Sequence, residues 1–257
     1  MELSLSMTNN WSSFEGSHAG ETGLIIGNVP SLKDVPVSFL KKYPSFGTNR
    51  IYLLDGFEPT YYVSVNPLVI EQSIERIKGL QSFKFLPDKY CSQFTNVAPL
   101  ESRYHPCFSM NPAAYIYEGY TVTYVCMQIA YYMGFDNILL VGVDHRFSFD
   151  GNPNQEVISK GEDQNHFHPD YFGEGVRWNN PDLERSEEAY WMAKEVFERD
   201  GKHIINLTEN TALNVFEKGK IDECLKDSSE CLTNLGEDLS EFGNNNINLG
   251  KSLTSME

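Results

Sequence analysis

No long apolar run occurs in this sequence, and its first residues show no basic stretch followed by an apolar core. A membrane-spanning helix needs about 20 consecutive apolar residues, so the sequence predicts neither a membrane span nor a signal peptide. Cysteine is scarce as well, with five residues and no C-x-x-C pair. A disulfide framework and a structural zinc site are therefore not expected, and we expect a soluble cytoplasmic protein.

Positive charge is also in short supply. Lysine and arginine together number 20 against 36 aspartates and glutamates, which gives a formal net charge of −16. A surface of this sign repels nucleic acids and anionic lipids, and the densest basic cluster is only Lys41-Lys42. We expect no nucleic-acid partner, and a bound nucleotide would have to be held by backbone N–H groups, hydroxyls and amides.

What the sequence does contain is an alternation of strand and helix patterns. Short apolar runs bounded by turn-forming residues predict strands at residues 23–27, 50–54, 61–65, 83–86, 137–143 and 202–207. Apolar residues at helical spacing predict helices at 68–80, at 121–133 and from Pro181 to Gly201, and Ser31 is a candidate cap for a short helix. This order predicts an α/β, Rossmann-like fold with a mostly parallel sheet and helices on both faces.

The same patterns divide the chain into three parts. Residues 1–22 are predicted to be a polar lead-in, residues 23–218 a single α/β domain, and residues 219–257 a flexible acidic tail. Within the domain, residues 144–180 contain Pro, Gly, His, Asn and aromatic residues without periodicity. A loop of this length predicts a functional insertion that forms a lid.

Polar residues stand at the ends of several predicted strands. They are Gly27, Asn28 and Ser31 after the first strand, Asn49 beside the second, Asn66 after the third, and Asp144 after strand 137–143. Ligands of open parallel sheets bind beyond the carboxyl ends of the strands, so these residues predict a phosphate-binding site. The alternative is an ordinary tight turn, because Gly, Asn, Pro and Ser are common turn formers and no G-x-G-x-x-G is present.

Five segments resemble, in order, the landmarks of the bacterial family 42 sialyltransferases and of the related group of 6-hydroxymethylpterin diphosphokinase MptE-like proteins. These segments are 27–32 (GNVPSL), 47–52 (GTNRIY), 66–72 (NPLVIEQ), 119–122 (GYTV) and 140–144 (LVGVD). The similarity runs from about residue 18 to 217, and each motif is weak when taken alone.

The resemblance implies a Rossmann-like transferase domain that holds a CMP-linked sugar. By this resemblance, Asn28, Ser31, Asn49, Asn66 and Thr121 would lie near the nucleotide phosphate and ribose, with Gly27, Gly119 and Asp144 in the same landmarks. The implied function is a glycosyltransferase of surface-glycan biosynthesis, which moves a sugar from a nucleotide-sugar donor to a glycan acceptor.

Two residues depart from the sialyltransferase pattern. Val29 stands where the family usually has glycine, so positive φ is not accessible there without strain. Glu118 places a carboxylate where the sialyltransferases tend to have a hydroxyl, and a carboxylate beside a phosphate is repulsive.

A histidine is the expected general base for a direct sugar transfer, because its pKa lies near neutrality. His166 and His168, within the predicted lid, are the candidates. An alternative use of this H-x-H pair, together with Asp170, is a zinc or iron site, and a third is packing of the loop. Since the D-x-D motif of many glycosyltransferases is absent, we expect no obligatory metal or cofactor.

Two other functions stay open. One is a pterin-type diphosphokinase, which would use ATP and Mg²⁺. The other is a catalytically inactive nucleotide-binding protein of a glycan-assembly complex. Whichever function applies, the sequence leaves assembly as a homo-oligomer open. For the first-choice function, we expect Asn49→Ala to abolish nucleotide binding with a nearly unchanged melting temperature.

Overall fold

The computed structural model describes residues 10–226. The chain divides into two compact units, residues 1–218 and residues 219–257. In the second unit the structure describes one helix, Ile221–Lys226. The remainder of the predicted acidic tail and the first nine residues of the predicted lead-in lie outside the described residues.

A central parallel sheet organises the first unit. The strands in chain order are β1 (Thr22–Ile26), β2 (Ser45–Thr48), β3 (Tyr61–Val63), β4 (Phe83–Pro87), β5 (Val97–Leu100), β6 (Ser102–Arg103), β7 (Ile116–Tyr117), β8 (Asn137–Val141), β9 (Glu156–Ile158), β10 (Arg177–Asn179), β11 (His203–Asn206) and β12 (Glu217–Lys218). Eight of them form one sheet in the order β12-β11-β8-β1-β2-β3-β4-β5, and every adjacent pair is parallel. This confirms the predicted α/β, Rossmann-like fold.

Helices flank this sheet. They are α1 (Val37–Leu40), α2 (Pro67–Glu71), α3 (Ile74–Gly79), α4 (Asp88–Cys91), α5 (Val122–Tyr132) and α6 (Leu183–Arg199). The described part of the second unit contains α7 (Ile221–Lys226). None of the helices within residues 10–226 has the length and apolar character that crossing a membrane requires.

The centre of the sheet is buried on both faces. Ile25 of β1 pairs with Leu140 of β8 and belongs to the same core cluster as α5 and α6. Side chains alternate along a strand, so Leu24 and Ile26, which are also fully buried, point to the opposite face. Burial on both faces is why β1 and β8 read as continuous apolar runs rather than as alternating patterns.

The chain winds in two directions from β1. It runs outward through β2, β3, β4 and β5, and then returns to place β8 on the other side of β1. The topological switch point therefore lies between β1 and β8, and the loops after these strands meet at the carboxyl edge of the sheet.

The two long helices begin and end where the sequence predicts. Thr121 caps α5 by accepting the N–H of Thr123, and Gly134, at φ +87°, follows its end. Asp182 caps α6 by accepting the N–H of Arg185. Because these helices pack on the core side of the sheet, their amino-terminal ends are fixed relative to the strand-end loops.

The predicted strand at residues 50–54 is wrong. The strand is β2, which starts five residues earlier, and Ile51–Leu53 form a 3-10 turn. The turn follows from Asn49, whose φ of +49° reverses the chain just after β2. Gly47 lies within β2. Only glycine fits there, because a Cβ would lie 2.6 Å from the Pro59 ring.

Four other expectations are corrected. The helix predicted at 68–80 is two helices, α2 and α3, since Ser73 at φ −134° interrupts the helical backbone. Ser31 caps no helix: Val29 occupies the cap position of the following 3-10 turn without a side-chain bond. Residues 144–180, which have no periodicity in the sequence, contain the antiparallel strand pair β9 and β10. Strand β12 follows β11, which the sequence had made the last strand.

The described part of the lead-in belongs to the core. Trp11 is only 2% exposed, and its indole N–H donates to the Pro99 carbonyl at 3.0 Å. Its ring also packs against Phe85 of β4 at 4.9 Å between centroids. Although the composition of residues 1–22 is polar, Trp11 is therefore a buried anchor beside the sheet.

Candidate functional site

A cavity of about 680 Å³, here called the main cavity, opens at the carboxyl edge of the sheet. Five of the residues singled out in the sequence line it: Asn49, Asn66, Gly119, Thr121 and His166. They come from the ends of β2 and β3, from the start of α5 and from residues 144–180, called the lid below. Segments far apart in the sequence therefore meet around one space.

Asn49 presents an unused donor to this space. Its N–H donates to Val63 at 3.2 Å, and its Oδ1 accepts the Ser64 hydroxyl at 3.1 Å. Its Nδ2 has no hydrogen-bond partner in the described chain. With the backbone and Oδ1 fixed in this way, the amide N–H₂ is held at the cavity wall.

Asn28 lies behind Asn49 rather than in the cavity. Its Nδ2 donates to the Thr48 hydroxyl at 2.7 Å and to the Thr48 carbonyl at 3.1 Å. The residue is 7% exposed, and its buried Oδ1 has no partner in the described chain. Asn28 thus ties the loop after β1 to the end of β2 and supports Asn49 from behind.

Asn66 lines the cavity but has structural duties. Its Oδ1 accepts the N–H of Leu68 at 2.9 Å and so caps α2, while its Nδ2 donates to Asn179 of the lid at 3.3 Å. One hydrogen of the Nδ2 amide is left for a ligand. Asn66 therefore joins the sheet, α2 and the lid.

The start of α5 lines the cavity, and the Val122 N–H there makes no hydrogen bond within the described chain. Thr121 is the cap residue, and Gly119 before it has φ +55°. A Cβ at Gly119 would lie 2.3 Å from the Tyr124 ring, so only glycine fits there. The first N–H groups of a helix carry partial positive charge and bind phosphates. This end of the cavity is the one best suited to an anion.

The charged side chains of the main cavity are mixed in sign. They are Arg103, Arg185, Glu118, Asp182 and Glu188. Glu118 accepts the Ser102 hydroxyl at 2.6 Å, and Arg185 donates to the Tyr120 hydroxyl at 2.8 Å. Because the arginines do not outnumber the carboxylates, an anionic ligand would depend on backbone N–H groups and amides.

Val29, the other departure from the sialyltransferase pattern, sits without strain. Its backbone has φ −83° and ψ 168°, which any residue adopts, and its N–H points to the Gly142 carbonyl at 3.4 Å. Positive φ is not required at this position.

Two histidines line the main cavity: His166 of the lid, which the sequence singled out, and the exposed His105. The Nδ1 of His166 lies 2.7 Å from Asp163 Oδ2, and its ring stacks on Tyr171 at 3.9 Å and 3°. The residue is 8% exposed, and its Nε2 makes no hydrogen bond within the described chain. Burial lowers the pKa of His166, although Asp163 opposes this change. At neutral pH the imidazole is therefore uncharged.

Asp163, which the sequence analysis missed, holds this histidine. Besides facing His166, its carboxylate accepts the N–H groups of Asn165 at 2.8 Å and Phe172 at 3.0 Å. Burial alone would raise the pKa of Asp163, but the hydrogen bonds from His166 and the two backbone N–H groups lower it below its ordinary value. The signal in the sequence was a D-x-x-H spacing within the lid.

His168 has a different position. Its Nδ1 accepts the backbone N–H of Asp170 at 3.1 Å, and it lines neither the main cavity nor the second cavity defined below. Among residues 10–226 there is no group of three or more His, Cys, Asp or Glu side chains placed to hold a metal ion. His166, His168 and Asp170 thus do not form such a group.

Ser31 and Asp144 line a second cavity of about 520 Å³, over the switch point between β1 and β8. The Ser31 N–H donates to Asp144 Oδ2 at 3.3 Å. Phe147 lines both cavities and lies 5.7 Å from the His166 ring. The predicted site residues are therefore divided between two adjoining spaces.

Gly27 contributes by its lack of a side chain. A Cβ there would lie 2.1 Å from the Gly142 carbonyl oxygen, so glycine allows the loops after β1 and β8 to approach each other. Neither cavity includes Gly27 in its wall.

Aromatic rings of the lid close the main cavity. Tyr171, Phe172 and Trp178 line it, and Phe172 stacks on Trp178 at 4.9 Å. These rings pack on one another as well as lining the cavity. His145, by contrast, pairs with Glu187 of α6 at 3.2 Å and lines neither cavity.

Comparison with models of protein families and with curated proteins finds no match for this sequence.

Proposed function

We propose that this protein is a glycosyltransferase that moves a sugar from a nucleotide-sugar donor, of the CMP-linked kind, to a glycan acceptor. One observation carries the proposal: Asn49, the start of α5 and His166 line the same cavity at the carboxyl edge of a parallel sheet. An amide donor, a helix start and a neutral imidazole are the groups that phosphate binding and proton transfer need.

The donor phosphate is assigned to the start of α5. The Val122 N–H, which makes no hydrogen bond within the described chain, and the Asn49 amide supply donors without requiring a basic cluster, which agrees with the acidic composition. Aromatic rings such as Tyr171 and Trp178 wall the same space and exclude water from it.

His166 is assigned as the general base. Its Nε2 takes the proton of the acceptor hydroxyl while the acceptor oxygen bonds to the anomeric carbon of the donor sugar. The bond from that carbon to the phosphate oxygen breaks, and its electron pair leaves on the nucleotide. A base that is neutral near pH 7 is the form this step requires.

Thermal unfolding with a ligand panel tests the proposal. We expect CMP to raise the melting temperature without Mg²⁺, because a ligand that binds only the folded state stabilises it by RT ln(1 + [L]/Kd). A response to ATP that needs Mg²⁺ would instead favour the diphosphokinase function. No response to CMP, UDP, GDP or ATP would contradict nucleotide binding altogether.

The site itself is tested by Asn49→Gly. This change removes the amide but keeps a residue that adopts φ +49° freely. Loss of a hydrogen bond to a charged phosphate costs about 1.5–3 kcal/mol, so we expect CMP to bind at least about tenfold more weakly. Asn96→Gly is the matched control, because Asn96 has φ +50° and lines neither cavity. Equal CMP affinity of the two variants would refute the assigned site.

A further inference from the structure

Asp163 and His166 form a pair whose geometry fits one chemical state. The Asp163 side chain is 3% exposed, and its two oxygens face three donors: His166 Nδ1 and the N–H groups of Asn165 and Phe172. A carboxylate surrounded in this way accepts hydrogen bonds and has no room to donate one. The hydrogen between Asp163 and His166 therefore belongs to Nδ1.

A proton on Nδ1 of a neutral imidazole leaves Nε2 without one. Tyr171 covers one face of the ring, and the edges of Phe172 and Phe147 lie at centroid distances of 4.7 Å and 5.7 Å. These contacts leave Nε2 as the ring nitrogen without a partner, in a residue that lines the main cavity. The packing fixes which nitrogen is presented to a ligand.

We propose that Asp163 is a positioning residue that holds His166 in the Nδ1-protonated tautomer, with a bare Nε2 at the main cavity, ready to accept a proton from an acceptor hydroxyl. The catalytic part of this inference rests on the proposed function, whereas the tautomer is a property of the protein itself. The same logic operates wherever a carboxylate orients a catalytic imidazole.

The charged and titratable groups around the ring are few. Asp163 favours the imidazolium, Arg50 disfavours it, and the Tyr171 hydroxyl stays protonated because burial raises its pKa. Burial of the ring outweighs the attraction of Asp163, so the pKa of His166 lies below the ordinary value of 6.5. Proton acceptance by Nε2 is therefore available through the whole neutral range.

The first test needs no variant. Long-range ¹H–¹⁵N correlation spectra of the ¹⁵N-histidine-labelled protein report the proton on each ring nitrogen. At pH 7.5 we expect His166 to show a protonated Nδ1 and an unprotonated Nε2, with titration below pH 6.5. A protonated Nε2, or an imidazolium at pH 7.5, would overturn the proposal. This measurement involves no nucleotide, so it stands apart from any failure of CMP to bind.

The second test compares Asp163→Asn with Asp170→Asn. An asparagine at 163 offers an amide donor to Nδ1, and we expect the imidazole to switch to the Nε2-protonated form. Hydrolysis of CMP-sialic acid should then lose at least about 100-fold in kcat, the range of general-base catalysis, with a donor KM within about threefold of wild type. Asp170 is the matched control in the same lid, where its backbone N–H bonds His168.

Thermal unfolding of both variants separates positioning from folding. If Asp163→Asn unfolds at the wild-type temperature and keeps both the tautomer and the kcat of wild type, Asp163 positions nothing. If the variant fails to fold, the wild-type spectrum decides the tautomer, and His166→Gln against His168→Gln decides the role in turnover.

Discussion

At the scale of single residues, conformation decides which substitution is informative. Asn49 holds φ +49°, a region in which residues with a Cβ are strained by about 1–2 kcal/mol and asparagine less so. The sequence alone predicted that Asn49→Ala would leave the melting temperature nearly unchanged. The backbone angle changes this expectation, because alanine must bear the strain without the Ser64 hydrogen bond.

We therefore expect Asn49→Ala to be less stable than Asn49→Gly by about 1 kcal/mol, the penalty of a Cβ in the left-handed region. Urea unfolding of the two proteins measures the difference. The pair Asn96→Ala and Asn96→Gly should show the same order, since Asn96 shares the conformation. Equal stabilities within either pair would mean that the left-handed backbone relaxes.

The residues of the site were predictable to different degrees. Asn49, Asn66 and Thr121 stand at element ends, where the sequence signals both a turn and a polar side chain. Asp163 was missed because its partner lies within an irregular loop, and only packing brings its carboxylate to His166 Nδ1. Asn28 was placed at the ligand, yet its amide donates to Thr48, a contact between the loop after β1 and the end of β2 that no local pattern encodes.

At the scale of elements, hydrogen bonds attach the lid to several parts of the fold. Arg50, which is buried, donates from Nη1 to the Tyr171 carbonyl at 2.6 Å, and the Phe167 N–H donates to the Asn28 carbonyl at 2.9 Å. Gln72 bonds the backbone of Arg177 at the other end. The lid thus rests on the loops after β1 and β2 and on the helix after β3.

Removing the Arg50 anchor should loosen the lid more than the sheet. We expect Arg50→Met to cost about 1.5–3 kcal/mol, the range for hydrogen bonds of charged groups, and to speed hydrogen exchange in residues 156–179. We expect hydrogen exchange of the β8 amides to change less than that of the lid amides. Arg177→Met is the control, since the exposed side chain of this arginine makes only a surface ion pair with Glu156. If hydrogen exchange in the lid is the same in Arg50→Met as in wild type, Arg50 does not anchor the lid.

The elements that the sequence predicted well are those buried in the centre. β1, β8, α5 and α6 have long apolar patterns because they are covered on one or both faces. β2 was misplaced because Phe46-Gly47-Thr48 has little apolar pattern of its own and depends on strands at both sides. The edge strands are short, since β5 has four residues and β12 has two, so pairing with β4 and β11 defines them rather than composition.

At the scale of the whole molecule, buried histidines link stability to pH. Burial lowers the pKa of both His166 and His145, against the attraction of Asp163 and Glu187. Below pH 6.5 the unfolded chain takes up protons at these sites before the folded chain does. Their contribution to stability is therefore present above pH 6.5 and is lost as the pH falls through the folded values.

Calorimetry between pH 7.5 and 5.5 measures this contribution. We expect the melting temperature of wild type to fall relative to that of His166→Gln, by about 2–4 °C for each kcal/mol lost in a domain of this size. The comparison with the variant matters, because approach to the pI near 4.8 reduces the repulsion among acidic groups in both proteins. Parallel pH curves would show that His166 titrates alike in the folded and unfolded states.

Phe147 forms part of the wall of both cavities. A molecule that turns this ring in one space reshapes the neighbouring space, so the two occupancies are thermodynamically linked. Linkage of this kind is reciprocal. If a ligand in one cavity changes the affinity of the other cavity by some factor, a ligand in that other cavity changes the affinity of the first by the same factor. Through the ring of Phe147 alone, ligand binding in one cavity can thereby affect ligand binding in the other.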